Sequence, residues 1–158
     1  MLVVRPATAQ DLASYLRIVR ELPEFFVGDV PSIVERDLQR HPGWVVVDDH
    51  HEVIGFAIAE RRSAYSTEIL WMAVQADRRA AGHGTMLLDS MLDALRDDGV
   101  QLVEVKTLDS SAGYAPYDAT RAFWERRGFV QIDTIDPLPG WQPGNPAAVY
   151  VAALRPTR

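Results

Sequence analysis

Cysteine is absent from this 158-residue chain. That excludes a disulfide framework, a thiolate metal site and any covalent route through a cysteine nucleophile, and it leaves the redox compartment open. Long apolar runs are missing as well. None approaches the roughly 18 residues that suggest a membrane span. Met1 to Pro6 lacks the basic start, long apolar stretch and small-residue cleavage site of a secretory leader. The expectation is a cytoplasmic protein with no membrane contact. Positive charge is also not in excess: the net charge is −6. Non-specific nucleic-acid binding needs basic surface to displace counterions, so that class of partner is not expected. The acidic balance speaks to solubility first and to a cationic or neutral small partner second.

What is present is ordinary for one globular domain spanning 1–158. Apolar residues make up 47% and charged residues 24%, enough for a core that buries about two-thirds of the chain surface. There is no internal repeat, low-complexity tract or central linker. Thr8 and Asp11 read as a capping box, with Leu12, Tyr15, Leu16 and Val19 following at helical spacing and Pro23 as the stop. Pro31 suits the first turn of a second helix that buries Ile33, Val34 and Leu38. Strands are expected over 44–47 and 53–61, joined as a hairpin through the polar turn at 48–51, and again over 68–74. A helix with Leu87, Leu88, Met91, Leu92 and Leu95 on one stripe stops at Gly99, and a strand spans 100–108. Strand–helix–strand at this length is a parallel βαβ unit. A helix at 117–127, a strand at 129–135, an irregular Pro/Gly-rich stretch at 136–146 and a strand at 147–154 complete an α/β fold. It has a mixed central sheet of six to seven strands and helices on both faces.

The strongest local feature is the segment Arg78-Arg79-Ala80-Ala81-Gly82-His83-Gly84 between the 68–74 strand and the following helix. A helix N-terminus offers unpaired N–H groups and a partial positive charge. Glycines let the backbone close on a ligand, and an arginine adds a charged fork. The combination suits a phosphate or pyrophosphate, although a short Gly-x-Gly at such a junction also occurs as a plain turn. A P-loop would need Gly-Lys-Ser/Thr, which is missing. A dinucleotide fingerprint would need a third glycine where Leu87 stands.

In three separated segments the sequence resembles the GNAT N-acetyltransferase superfamily. They are Arg79-x-x-Gly82-x-Gly84; the preceding strand from Glu68 into Trp71-Met72-Ala73-Val74; and Tyr117 to Phe129, a helix that ends in Trp124, three variable positions and Gly128-Phe129. The opening Val4-Arg5-Pro6-Ala7-Thr8 with Asp11-Leu12 also resembles a common start in the family. The resemblance implies a GNAT-like single domain and acetyl-coenzyme A as co-substrate. It implies that backbone groups of Met72, Ala73 and Val74 pair with the pantetheine arm. Arg79, Ala80, Ala81, Gly82, His83, Gly84 and Thr85 would hold the pyrophosphate, and Trp124 would lie near the thioester sulfur.

The implied reaction moves an acetyl group to an amine. An alkylammonium must first lose a proton, so a carboxylate is needed. Glu68 is the candidate base, with Glu60 and Glu24 as rivals and a solvent-facing strand-end glutamate as the bland reading. The family often protonates the departing thiolate with a tyrosine. Trp124 stands at that position here, and an indole N–H donates a hydrogen bond but supplies no proton. Tyr117, on the same helical face about 10 Å away by helix rise, and Tyr114, in the loop before it, are the candidate substitutes; the plain alternative for Trp124 and Tyr117 is a core aromatic. With no cysteine, direct attack in a ternary complex is expected. The 22–29 segment carries Glu24, Phe25 and Phe26 as candidate acceptor contacts, or as an apolar staple between helices. The 136–146 stretch, with Trp141, reads as a lid, a homodimer contact or a connection. No metal site is expected, because His41, His50 and His51 have no other ligand types beside them. Arg61-Arg62 and Arg126-Arg127 read as surface charge. A non-catalytic coenzyme A-binding or sensory module on the same fold is the second reading.

Overall fold

The computed structural model of the chain describes residues 1–79 and 81–156. The first helical segment begins as its sequence suggests. The Thr8 N–H donates to Asp11 Oδ2 at 2.8 Å, and Arg5 donates twice to the same carboxylate at 2.9 Å. The Arg5 hydrogen bond, opposed by burial and aided by Thr8, holds the Asp11 carboxyl below its ordinary value. A 3-10 turn over Ala9–Asp11 leads into α1 (Leu12–Arg20), which stops short of Pro23. α2 (Val30–Arg40) carries Pro31 in its first turn. The connector at 21–29 contains only turns and irregular chain.

The strands are β1 (Val3–Pro6), β2 (Gly43–Val47), β3 (Val53–Arg61), β4 (Ser66–Val74), β5 (Leu102–Leu108), β6 (Val130–Ile135) and β7 (Ala147–Ala153). The remaining helices are α3 (His83–Asp97) and α4 (Asp118–Arg126). All seven strands lie in one mixed sheet, in the order β1-β2-β3-β4-β5-β7-β6. β1 to β4 form an antiparallel meander. α3 then crosses over so that β5 lies parallel to β4, and β7 slots between β5 and the edge strand β6. The expected fold class therefore stands, with β1 as the seventh strand.

Alternation along each strand sends side chains to two cores. On one face Leu87, Leu88, Met91 and Leu95 of α3 and Trp124 of α4 pack on Ile54, Ala57, Ile69, Val103 and Tyr150. On the other, Tyr15, Ile18 and Val19 of α1 and Val34 of α2 pack on Val45, Phe56, Ile58 and Ala73. The Tyr15 hydroxyl reaches the Trp44 and Ala57 carbonyls at 3.1 and 3.2 Å.

Two irregularities shape the middle of the sheet. Ile58 opposes Trp71 while Ala59 opposes Ile69, so Leu70 is the extra residue of a β-bulge. Leu70 and Trp71 consequently both pack on the α1/α2 side. On its other edge β4 pairs with β5 only from Ser66↔Leu102 to Ile69↔Val105. Past that point the two strands part, and β4 presents the backbone of Leu70–Val74 along an open fork.

Candidate active site

The wide end of the fork meets the start of α3. Beyond Val74 a 3-10 turn at Ala76–Arg78 turns the chain. Gly82, at φ +83°, stands as the residue before α3. This left-handed conformation is what makes a glycine necessary there. The Met86 N–H is paired to the Gly82 carbonyl at 3.1 Å, so the N–H groups of His83, Gly84 and Thr85 precede the first intrahelical bond. A Cβ on Gly84 would meet only the Phe123 ring at 3.5 Å and Val74 Cγ2 at 3.7 Å. The protein's own packing does not require glycine at that position.

The side chains around this turn divide sharply. Arg78 leaves it to pair with Asp48 at 3.1 Å. Arg79 stays, its guanidinium 4.8 Å over the Phe25 ring. The His83 Nδ1 lies 3.0 Å from the Arg78 carbonyl; a carbonyl only accepts, so this nitrogen carries the proton and the ring folds back on the loop. Ala81 is exposed, and Ala80 lies outside the described residues. Arg127 Nη2 donates to Thr85 Oγ1, and its guanidinium sits 5.4 Å over Phe123. Arg127 is exposed, as the sequence suggested, and the turn after α4 brings it to the first turn of α3. Neither Arg79 nor Arg127 has a carboxylate within salt-bridge distance among the described residues.

The narrow end of the fork carries a line of charges on the α1/α2 side. Glu68 is buried, not a solvent-facing strand end: it is 6% exposed. Its Oε1 accepts from Arg62 Nη2 and, at 3.3 Å, from Lys106 Nζ. Arg62 also reaches Glu60 Oε2 at 3.3 Å, and Lys106 reaches Glu104 Oε1 at 3.2 Å. His41 Nε2 lies 4.0 Å from Glu60 Oε1. Arg62 is exposed, as the sequence suggested, and is tied in addition to the buried Glu68 carboxylate. Both Glu68 ion pairs are made by Oε1.

The connector at 21–29 is tied to the same region. The Tyr114 hydroxyl donates to the Glu24 carbonyl at 2.9 Å and the Tyr117 hydroxyl to the Phe25 carbonyl at 3.2 Å. Phe25 meets Tyr117 edge to face at 5.1 Å, and Phe26 packs against Trp71 at 6.0 Å. The Trp71 indole N–H donates to Asp37 Oδ2 at 2.7 Å. The staple reading of Phe25 and Phe26 is therefore too narrow, since they bridge to β4, Tyr117 and Arg79. Burial, with a smaller effect of Tyr114, raises the Tyr117 phenol above its ordinary value. Trp124 stacks edge-on against Phe123 and Phe129 at 5.1 and 5.0 Å and is 5% exposed, which is a core position.

Two orphaned atoms bear on what the fork can hold. Thr107 Oγ1, on β5 past the last pair with β4, and Gln75 Oε1, just past the end of β4, are buried without a hydrogen-bond partner. Buried polar atoms normally find one. A strand-like ligand with amide groups and an anionic end would match an unpaired strand edge that leads to a helix N-terminus. Among the described residues no cluster of His, Cys, Asp and Glu could hold a metal ion, and no helix is long and apolar enough to cross a membrane.

This geometry has counterparts. The family model for the acetyltransferase (GNAT) domain matches residues 39–131, more than half of the chain. No curated protein matches the sequence. Among solved structures, a GNAT-family protein from Desulfovibrio desulfuricans superposes with a TM-score of 0.82 at 20% identity, over 97% of this chain and 99% of that one. A GNAT-family acetyltransferase from Elizabethkingia anophelis, with acetyl-coenzyme A bound, gives 0.76 at 17% identity over 97% and 98%. An N-acetyltransferase from Thermoplasma acidophilum in complex with coenzyme A gives 0.75 at 12% identity over 98% and 99%. At these identities the likeness is one of fold.

Proposed function

Because the chain belongs to the GNAT acetyltransferase family, we propose that it moves the acetyl group of acetyl-coenzyme A to an amine by direct attack in a ternary complex. The observation that carries the proposal is the fork. One continuous path leads from the free N–H groups of α3, along the unpaired edge of β4, to the buried carboxylate of Glu68. The pyrophosphate is held by N–H groups over 82–85, the Thr85 hydroxyl and Arg79, with Arg127 as an addition the sequence did not suggest. The pantetheine amides pair with Met72, Ala73 and Val74. From Val74 back to Leu70 is about 13 Å at the usual strand rise, which sets the acetyl group where β4 and β5 part.

Glu68 stands one residue before Ile69, the last β4 residue paired with β5, and on the side that carries α1 and α2. Its carboxylate takes the acceptor's proton, directly or through water. The nitrogen attacks the thioester carbon, the C–N bond forms, the C–S bond breaks and the thiolate leaves. A free β4 N–H beside the vertex receives the transient oxyanion. A thiol of pKa about 8.5 leaves adequately as thiolate near neutrality, so no acid is assigned. Trp124 has no proton to give. Tyr117 spends its hydroxyl hydrogen on the Phe25 carbonyl, and its raised pKa makes it a weaker acid than the thiol. We assign Tyr117 to positioning of the connector, where Glu24, Phe25 and Phe26 form the acceptor-side wall.

Thiol release from acetyl-coenzyme A with a panel of amines tests the proposal. Turnover that falls strongly in Glu68→Gln supports it. Acetyl-coenzyme A that raises the melting temperature without turnover on any amine would support the non-catalytic reading instead. No thermal shift would sink both.

A further inference from the structure

Two consecutive arginines open the loop before α3, and the fold gives them different places. Arg79 is exposed and stays with the connector, over the Phe25 ring. Arg78 is drawn the other way, to the turn between β2 and β3, where its Nη2 donates to Asp48 Oδ2 at 3.1 Å. Asp48 is 6% exposed. Its Oδ1 accepts from the His50 and Glu52 N–H groups at 2.9 and 3.0 Å, and the His51 N–H closes the same turn onto the Asp48 carbonyl at 3.0 Å. The hairpin itself therefore fixes the carboxylate that Arg78 meets.

Arg78 is held at three points, of which Asp48 is the first. Its N–H donates to the Gln75 carbonyl at 2.9 Å, and the Gln75 N–H donates in turn to the Ile54 carbonyl of β3 at 2.8 Å. Its carbonyl accepts from His83 Nδ1 at 3.0 Å, across the turn that leads into α3. A loop that aims several N–H groups at one anion binds it best when its shape is set beforehand. We propose that Asp48 is a positioning residue for coenzyme A. By holding Arg78 it fixes the carbonyl that orients His83 and the N–H groups at the start of α3, and it leaves Arg79 as the guanidinium of the pair that faces the pyrophosphate. This rests on the pyrophosphate lying at residues 82–85. Asp48 touches no ligand itself, and its pairing with Arg78 offsets the repulsion that a bare carboxylate would exert on a nearby anion.

A carboxylate accepts on both oxygens, whereas an asparagine amide has one accepting oxygen. In Asp48→Asn that oxygen serves either the hairpin N–H groups or Arg78, not both. Isothermal titration of the full chain with coenzyme A reads the effect on the ligand, and calorimetric melting of the unliganded protein reads the effect on the fold. Asp48→Asn and Arg78→Gln are each expected to weaken Kd about tenfold, the lower end of what one charge-assisted hydrogen bond contributes. The double variant should bind no worse than the weaker of the two, because both act through one pair. Arg78→Lys should stay within about threefold of the wild type, since Arg78 uses a single nitrogen on Asp48 and a lysine point charge can take its place. The Arg78 side chain is 38% exposed, so Arg78→Gln carries the test if Asp48→Asn does not fold. Unchanged Kd in the single variants, with a lowered melting temperature, makes the pair a tie of the fold alone and overturns the inference. A tighter Kd in Asp48→Asn overturns it too, because Arg78 would then be a phosphate ligand that Asp48 restrains. Losses that add in the double variant overturn it in the same way. No binding of coenzyme A by the wild-type chain fails the pyrophosphate seat itself, and the inference with it.

Discussion

Gly84→Ala separates what the fold needs from what the ligand needs. Gly84 is the second residue of α3. A methyl group there would meet Phe123 carbons at 3.5 and 3.7 Å and Val74 Cγ2 at 3.7 Å, ordinary contacts that demand no shift. Alanine is the better helix former by up to about 1 kcal/mol, so the variant should be as stable as the wild type or melt higher by about 2–4 °C. Coenzyme A should respond in the opposite sense. A phosphate seated on the N–H groups of His83, Gly84 and Thr85 must approach the backbone closely, and a Cβ stands in the way. Loss of one charge-assisted hydrogen bond, about 1.5–3 kcal/mol, corresponds to a Kd weakened by roughly 10- to 100-fold. Differential scanning calorimetry and isothermal titration with coenzyme A measure the two quantities on the same preparation. A variant that melts normally and binds coenzyme A with unchanged Kd would refute the placement of the phosphate at this helix start.

The other predictions concern separate parts of the molecule. Arg127→Gln should weaken coenzyme A binding about tenfold, the value of one charged contact; if the loss disappears with 3′-dephospho-coenzyme A, Arg127 serves the 3′-phosphate, and if it persists, the pyrophosphate. Tyr117→Phe should raise the acceptor's KM and leave the pH profile of kcat in place, whereas a lost basic limb would restore Tyr117 as an acid. Gly43→Ala sets a Cβ 2.7 Å from the Tyr15 hydroxyl and 3.1 Å from the Ala57 carbonyl, and overpacking of this kind should lower stability by about 1–3 kcal/mol in denaturant titrations. Asp11, Asp48 and Asp109 all have lowered carboxyl pKa values, held first by hydrogen bonds from Arg5, Glu52 N–H and Ser111 respectively. Their folded pKa values lie below the unfolded one, so their contribution is complete above about pH 4 and lost as pH falls through the folded values. Asp11→Asn should flatten that acid limb in pH-dependent unfolding.

How much of this could be read from the residues depended on distance along the chain. The capping box at Thr8, the βαβ unit and the start of a helix just after Gly82 are local patterns, and each appears where its spacing put it. β1 escaped notice because Val3 to Pro6 is four residues with a terminal proline and no alternation; pairing with β2 makes it a strand. The bulge at Leu70 lies inside the uninterrupted run Ile69-Leu70-Trp71-Met72, which has no glycine to mark it. The surroundings of Glu68 were hidden for a different reason. Lys106 is 38 residues away in sequence, and only the parallel register of β4 and β5 brings it near. Arg127 looked like a charge at a helix end because nothing in its own neighbourhood points to Thr85, 42 residues earlier.

The central claim is that acetyl-coenzyme A lies in the fork between β4 and β5 with its thioester beside Glu68. A crystal structure with acetyl-coenzyme A bound tests it most directly. The account predicts the pyrophosphate on the N–H groups of residues 82–85, pantetheine amides paired with the backbone of Met72–Val74, and the acetyl carbon at the vertex near Leu70, on the side that carries Glu68 and Lys106. A cofactor bound elsewhere, or one whose thioester ends on the far face of the sheet from Glu68, would contradict it.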